Sequence, residues 1–445
     1  MTRPLGRRAA LLLPLATGGC GLYDSVFGDT KDRIPGKREA VVATRRGLEV
    51  DPADRRTVVV PPATPVPAWP QPGGGPTHAV GNVAVAGFNP AWRASIGEGG
   101  GYRQKITGQP IVFNGRVATM DSDGAVSVFA LDTGSRAWRT DTQGDKDRST
   151  NVGGGVSWAP GGGGSGTVYA TTGRAEILAL DAATGAIRWR KPLGSPARSA
   201  PTIADNRLLV LTLDDRIQAF NAGDGERQWS YQAAAAATTL LGQAAPAASD
   251  GLVVAGFGSG DLVCLRAESG ALAWSDSLAS SRGRGVLTEL SGIRALPVID
   301  RGRVFAIGGG GLLVGLDLRS GRRLWERDVG GVQTPWLAGD WLYVQTADQT
   351  LAALGRDDGR VRWVTDLPRY DNPEKQRDPL FWTGPVMAGS KLILAGSNGE
   401  AMSADPATGR LIGKIELRDA AAVAPVAAGG TLLLVTDDGS VQAFR

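Results

Sequence analysis

Few side chains in this chain could do chemistry. It has 445 residues but one histidine, His78, and two cysteines, Cys20 and Cys264. Zinc fingers, His-based triads and His-rich metal sites need more than that, and so does a disulfide framework. Adjacent carboxylates occur at Asp214-Asp215 and Asp357-Asp358. Both pairs sit in turn-like sequence, where neighbouring side chains point apart, so a structural use is expected. Gly153 to Gly155 and Gly161 to Gly164 are glycine-rich, but no Gly-Lys-Ser/Thr follows, so neither reads as a phosphate loop. Gly256-Phe257-Gly258-Ser259-Gly260 reads as a hairpin turn with no helix to bind an anion. Cys264, in Leu262-Val263-Cys264-Leu265, reads as a small apolar strand residue. No catalytic residue, metal or cofactor is expected. The net charge is +4, and the basic residues are interspersed with acidic ones. That argues against nucleic acid as a partner.

The start of the chain reads as an export signal. Arg3, Arg7 and Arg8 precede an apolar run from Ala9 to Ala16, and Thr17, Gly18 and Gly19 lead to Cys20. The run is too short for a membrane span, which needs about 20 apolar residues. A cysteine directly after small residues resembles a bacterial lipobox. That resemblance implies cleavage after residue 19 and lipidation of Cys20, with Thr17 standing where such signals carry an aliphatic residue. Residues 20–80 read as a Pro/Gly-rich tether. Prolines crowd residues 61 to 76, followed in part by Gly73 to Gly75, and such segments are extended and semi-rigid. His78, at its end, reads as a surface residue.

The remainder, residues 81–445, is repetitive. There are 64 glycines, about twice the usual ~7% share. Six times a turn glycine is followed four residues later by tryptophan: Gly134 and Trp138, Gly185 and Trp189, Gly225 and Trp229, Gly270 and Trp274, Gly321 and Trp325, Gly359 and Trp363. A seventh unit keeps Gly409 but has Gly413 in the tryptophan position. Upstream of each turn lie short apolar strands separated by Asn-Gly or Asp-Gly turns. Four strands per 40 to 50 residues is the period of a propeller blade. The tryptophan, on the outer strand, is expected to pack against the neighbouring blade. After the seventh unit only three strands remain. Ala91 to Ile96, carrying Trp92, supplies the fourth. The expected fold is all-β: an eight-bladed propeller of four-stranded antiparallel blades, closed by a blade shared between the two ends.

The unit Ala179 to Trp189, Ala-Leu-Asp-x-x-Thr-Gly-x-x-x-Trp, is similar to the repeat of pyrroloquinoline-quinone propellers. With Cys20, the short proline-rich segment, Arg33 to Arg38 and Ala68-Trp69-Pro70-Gln71, the chain resembles the BamB family. These are propeller lipoproteins of the bacterial outer-membrane β-barrel assembly machinery. The resemblance covers residues 85 to 445. It implies a non-catalytic scaffold, lipid-anchored on the periplasmic side of the outer membrane. The implied partners are the POTRA domains of BamA, the other lipoproteins of the machinery and unfolded outer-membrane proteins. Family contacts on the loops entering blades four and five map to Thr239–Gln243 and Glu289–Arg294, which makes Leu240, Leu241 and Arg294 candidate partner-binding residues. The chain departs from the family there: Gly292 and Arg294 replace an acidic pair, and the arginine expected near Leu241 is absent. Two rival readings are a quinone-dependent dehydrogenase and a sensor that binds a small ligand in the propeller axis. The first would bring adjacent cysteines, which this chain lacks.

Overall fold

A computed structural model describes residues 47–101, 104–143, 153–161, 166–197, 199–235, 245–279 and 292–445. Short apolar runs punctuated by glycine turns fold as antiparallel meanders. Blade 1 is typical. Ile111–Phe113, Arg116–Met120, Val126–Ala130 and Arg136–Thr140 pair in sequence order. The Asn114-Gly115 turn between the first two strands takes positive φ at both residues, as a tight hairpin requires.

Blades 2 to 7 repeat this order over residues 154–192, 202–232, 247–277, 298–327, 336–366 and 382–416. Blade 8 joins the chain ends. Its first three strands are Val426–Ala428, Thr431–Thr436 and Ser440–Phe444, and its fourth is Pro90–Ser95, which pairs with Ser440–Phe444. The ring therefore closes through the expected shared blade, and hydrogen bonding across it replaces a covalent link.

First strands of successive blades touch one another, so they ring the axis. Second and third strands are almost wholly buried, whereas fourth strands alternate outward. The two ends of the ring differ. One carries the turns between strands one and two and between three and four; we call it the turn face. The other carries the connections from each blade to the next; we call it the loop face.

The segment expected to be a tether is not one over its described part. Residues 47–80 pack against the propeller: Leu48, Val58 and Trp69 are buried, and Val50 bridges to Val361 in blade 6. The physical reason is the unpaired edge of each first strand. Extended, proline-rich backbone keeps its carbonyls free, and here they meet those edges. Trp69 exchanges two backbone hydrogen bonds with Val112 of blade 1, at 2.7 and 2.9 Å. Pro70 O accepts from Trp158 N–H of blade 2, and Gln71 Oε1 from Ile203 N–H of blade 3. Pro76 O accepts from Ala248 N–H of blade 4, and Thr77 O from Ile299 N–H of blade 5. Gly81 O accepts from the Trp336 indole of blade 6. Val83 N–H donates to Met387 O of blade 7, and Ala86 N–H to Gly430 O of blade 8. Residues 69 to 86 thus make one circuit of the turn face, touching the blades in order, and act as a cap.

His78 is corrected with it. It is 3% exposed, not a surface residue. Its Nδ1 donates to Pro297 O at 2.7 Å. Gly73 makes room for it: φ there is +68°, and a Cβ would lie 2.6 Å from the imidazole Cδ2.

Candidate functional site

The tryptophans named from the repeat sit on the fourth strands of their blades and face the next blade. Each indole N–H donates to a carbonyl in that blade's turn between strands three and four. The pairs are Trp92 to Leu131, Trp138 to Ala182, Trp189 to Gly223, Trp229 to Ala267, Trp274 to Leu318, Trp325 to Arg356 and Trp363 to Pro406. These distances lie between 2.7 and 3.1 Å. Under each ring lies the next turn glycine. A Cβ on Gly270, for example, would come 2.6 Å from Trp229 Cε3. The seven tryptophans hold blade to blade.

The axis carries the chemistry. On the loop face a cavity of about 400 Å³ opens between the segments that enter the first strands. Arg294, Lys105 and Asp437 line it. Arg294, expected on a docking loop, is half-buried against this cavity. Burial pulls its guanidinium below the ordinary arginine range. Lys105 is exposed at the rim. Burial pushes the Asp437 carboxyl up, and Lys105 offsets part of that.

Deeper on the axis, a second space of about 40 Å³ lies between Trp69, His78 and Trp336 of the cap side and Gln109, Gln333 and Thr334. Gln109, Leu296, Gln333, Thr334 and Ala424 border both spaces. Trp69 and Trp336 stack at 6.1 Å. Desolvation lowers the His78 pKa to about 4, so the ring is neutral and its second nitrogen is a bare acceptor. That Nε2 and the Trp69 Nε1 donor are both buried and neither meets a protein partner. The sequence offered signals for this floor, a tryptophan and the sole histidine flanking a Pro-Gly-Gly-Gly run. It offered none for where they go.

Cys20, Leu240 and Leu241 lie outside the described residues. Cys264 is buried in blade 4, where burial raises its thiol to about 12. Asp215 accepts from the Gly258 N–H of the next blade, and Asp357 and Asp358 pair with arginines. Among the described residues no cluster of three His, Cys, Asp or Glu could hold a metal ion, and no helix is long and apolar enough to cross a membrane.

Fold and repeat together define a closed, eight-bladed propeller of the quinoprotein type. The family model described as outer membrane protein assembly factor BamB matches residues 122–365 and 372–445. The chain belongs to the BamB family. Its relatives include outer membrane protein assembly factor BamB of Yersinia pestis, 29% identical over 367 residues, covering 80% of this chain and 89% of that one. The Escherichia coli K12 protein of the same name is 28% identical over 363 residues, covering 80% and 88%. Among solved structures, BamB from Moraxella catarrhalis aligns with a TM-score of 0.67 at 20% identity, over 80% of this chain and 99% of that one. Quinohemoprotein alcohol dehydrogenase from Comamonas testosteroni also aligns at 0.67, with 14% identity, over 86% and 81%. At these identities the structural likeness is one of fold.

Proposed function

We propose that this chain is a non-catalytic scaffold of outer-membrane β-barrel assembly, held at the periplasmic face of the outer membrane by lipid on Cys20. Its loop face docks the POTRA region of BamA and, through it, the other lipoproteins of the machinery. Unfolded barrel chains are a further partner of the same surface.

One observation beyond family membership carries the reading. The connection between blades 4 and 5, residues 278–297, is the longest between blades, and the connection between blades 3 and 4, residues 233–246, is the one before it in the chain. Connections carried on a rigid frame are where binding residues concentrate. These loops hold Leu240, Leu241 and the approach to Arg294. Interfaces favour arginine anchors, and the buried centre of an interface is apolar.

The test is an affinity pull-down of the tagged, lipidated protein from mildly solubilised outer membranes. Recovery of BamA that is lost with Leu240→Asp and Leu241→Asp supports the reading. Recovery unchanged by both substitutions moves the docking surface elsewhere, and absence of BamA from the wild-type eluate overturns the scaffold reading. Cys20→Ala is expected to shift the protein from the membrane to the soluble envelope fraction, with its fold retained.

A further inference from the structure

The axial space is a blind well. Its mouth lies on the loop face, and the cap of residues 69 to 86 closes the other end. Its lining holds one carboxylate, Asp437, whose charge Lys105 partly offsets; the other side chains used here are mainly donors. Arg294 lines the upper cavity and makes no hydrogen bond or ion pair with another described residue. Gln109 Oε1 accepts from Gly73 N–H of the cap, and Gln333 Oε1 from Gly384 N–H. Both amides thereby commit their oxygens to backbone and leave their Nε2 donors over. Thr334 Oγ1 accepts from Leu296 N–H, which leaves its hydroxyl proton. At the floor stand the Trp69 N–H donor and one acceptor, His78 Nε2, each buried and without a protein partner.

A buried donor or acceptor left unmet is costly, so this set selects its occupant. The two floor atoms suit one hydroxyl, which can donate to His78 Nε2 while accepting from Trp69 Nε1. The amide and hydroxyl donors of the neck suit further hydroxyl oxygens. The guanidinium at the mouth suits a carboxylate, with which it can form two parallel hydrogen bonds. A chain of hydroxyls ending in a carboxylate matches the order of these groups along the axis. A cavity of about 400 Å³ is of the size that holds small organic ligands.

We propose that the axial well is a binding site for a small polyhydroxy carboxylate of the sugar-acid class, its carboxylate on Arg294 and its hydroxyls on Gln109, Gln333, Trp69 and His78. The site shares Arg294 and the loop face with the proposed docking surface, and it is tested without a partner protein.

Isothermal titration of the purified full-length protein with gluconate is the experiment, with sorbitol and adipate as controls. Sorbitol keeps the hydroxyls without the carboxylate, and adipate keeps carboxylates without hydroxyls. Gluconate is expected to bind one per chain, with sorbitol and adipate each at least tenfold weaker, about 1.4 kcal/mol or more. Arg294→Gln should weaken gluconate by about tenfold or more, and Arg294→Lys should restore part of the loss. Thermal unfolding of both variants without ligand checks that they fold. No heat with gluconate up to about 10 mM, a range that captures even weak binding, overturns the proposal. So does gluconate affinity unchanged in Arg294→Gln, or adipate binding equal to gluconate.

Discussion

Trp138 of blade 1 lies flat on Gly185 of blade 2. A Cβ on that glycine would fall 2.5 Å from Trp138 Cε3, and φ at Gly185 is +77°. The same indole donates to Ala182 O in the same turn at 3.1 Å. The glycine of the repeat therefore has two jobs. It closes its own hairpin, and it forms the seat for the previous blade's tryptophan. Sequence spacing pairs Gly185 with Trp189 inside one blade, but the contact that matters runs between blades.

Trp229 and Gly270 test this lock. Trp229→Ala should destabilise by about 3–5 kcal/mol, the usual cost of emptying a buried aromatic site. Gly270→Ala should cost about 2 kcal/mol or more, since it adds a Cβ at φ +71° under the ring. The double variant should cost less than the sum, because removing the ring removes the clash. Urea unfolding of the three proteins measures it, and strict additivity would show that the two residues do not share a contact.

Gly413 stands where an eighth tryptophan would stand, and the structure gives a reason. The next blade is blade 8, whose third and fourth strands, Ser440–Phe444 and Pro90–Ser95, come from opposite ends of the chain. No hairpin turn joins them, so there is no turn glycine to receive an indole. Gly413→Trp is thus expected to leave stability within about 0.5 kcal/mol of wild type, as for an exposed surface change. A gain of several kcal/mol on urea unfolding would mean that a seat exists.

The cap predicts a specific failure on truncation. Removing residues 1–88 keeps Pro90–Ser95 but strips the first strands of their edge partners and uncovers Trp336. Open edges invite intermolecular pairing, so this protein should aggregate at concentrations where the parent is monomeric, by light scattering. Trp69→Ala in the full chain should destabilise by about 3–5 kcal/mol. Extending the deletion to residue 101 also removes Trp92 and the fourth strand of blade 8, and should leave the ring open and still less stable.

His78 makes stability depend on pH in one direction. Its pKa falls from 6.5 to about 4 on folding. Between those values the unfolded chain binds the proton and the folded one does not, so stability rises with pH. The contribution is complete above pH 6.5, is lost as pH falls towards 4, and amounts to about 3 kcal/mol. His78→Asn keeps a donor for Pro297 O and tolerates the φ of +60°. Its unfolding free energy should fall less between pH 7 and pH 4 than that of wild type. Equal slopes in the two proteins would show that the ring is not held neutral.

Much of the architecture was legible in advance. Each blade meets the same two neighbours, so the same residues recur in register: the turn glycine, the tryptophan four residues on, the apolar second and third strands. Ala91 to Ile96 could be assigned to the last blade because it carried a fourth-strand tryptophan without the three strands before it. The site was not legible in this way. Leu240 and Leu241 were found through a resemblance and not through any pattern in the chain. Arg294 was placed on the connection into blade 5, but that it lines the axial cavity depends on the closed ring.

Sequence alone determined the blade count, the closing strand and the residues that lock blade to blade, because those contacts repeat with a period that local spacing records. The tertiary structure decided the rest. Trp69 meets Val112, Thr77 meets Ile299, and His78 meets Pro297. Each of these contacts happens once and joins segments far apart in the chain. Proline-rich sequence reads the same whether its carbonyls face water or a ring of open strand edges. Only the assembled ring supplies those edges, and with them the cap, the neutral histidine and the closed end of the axial well.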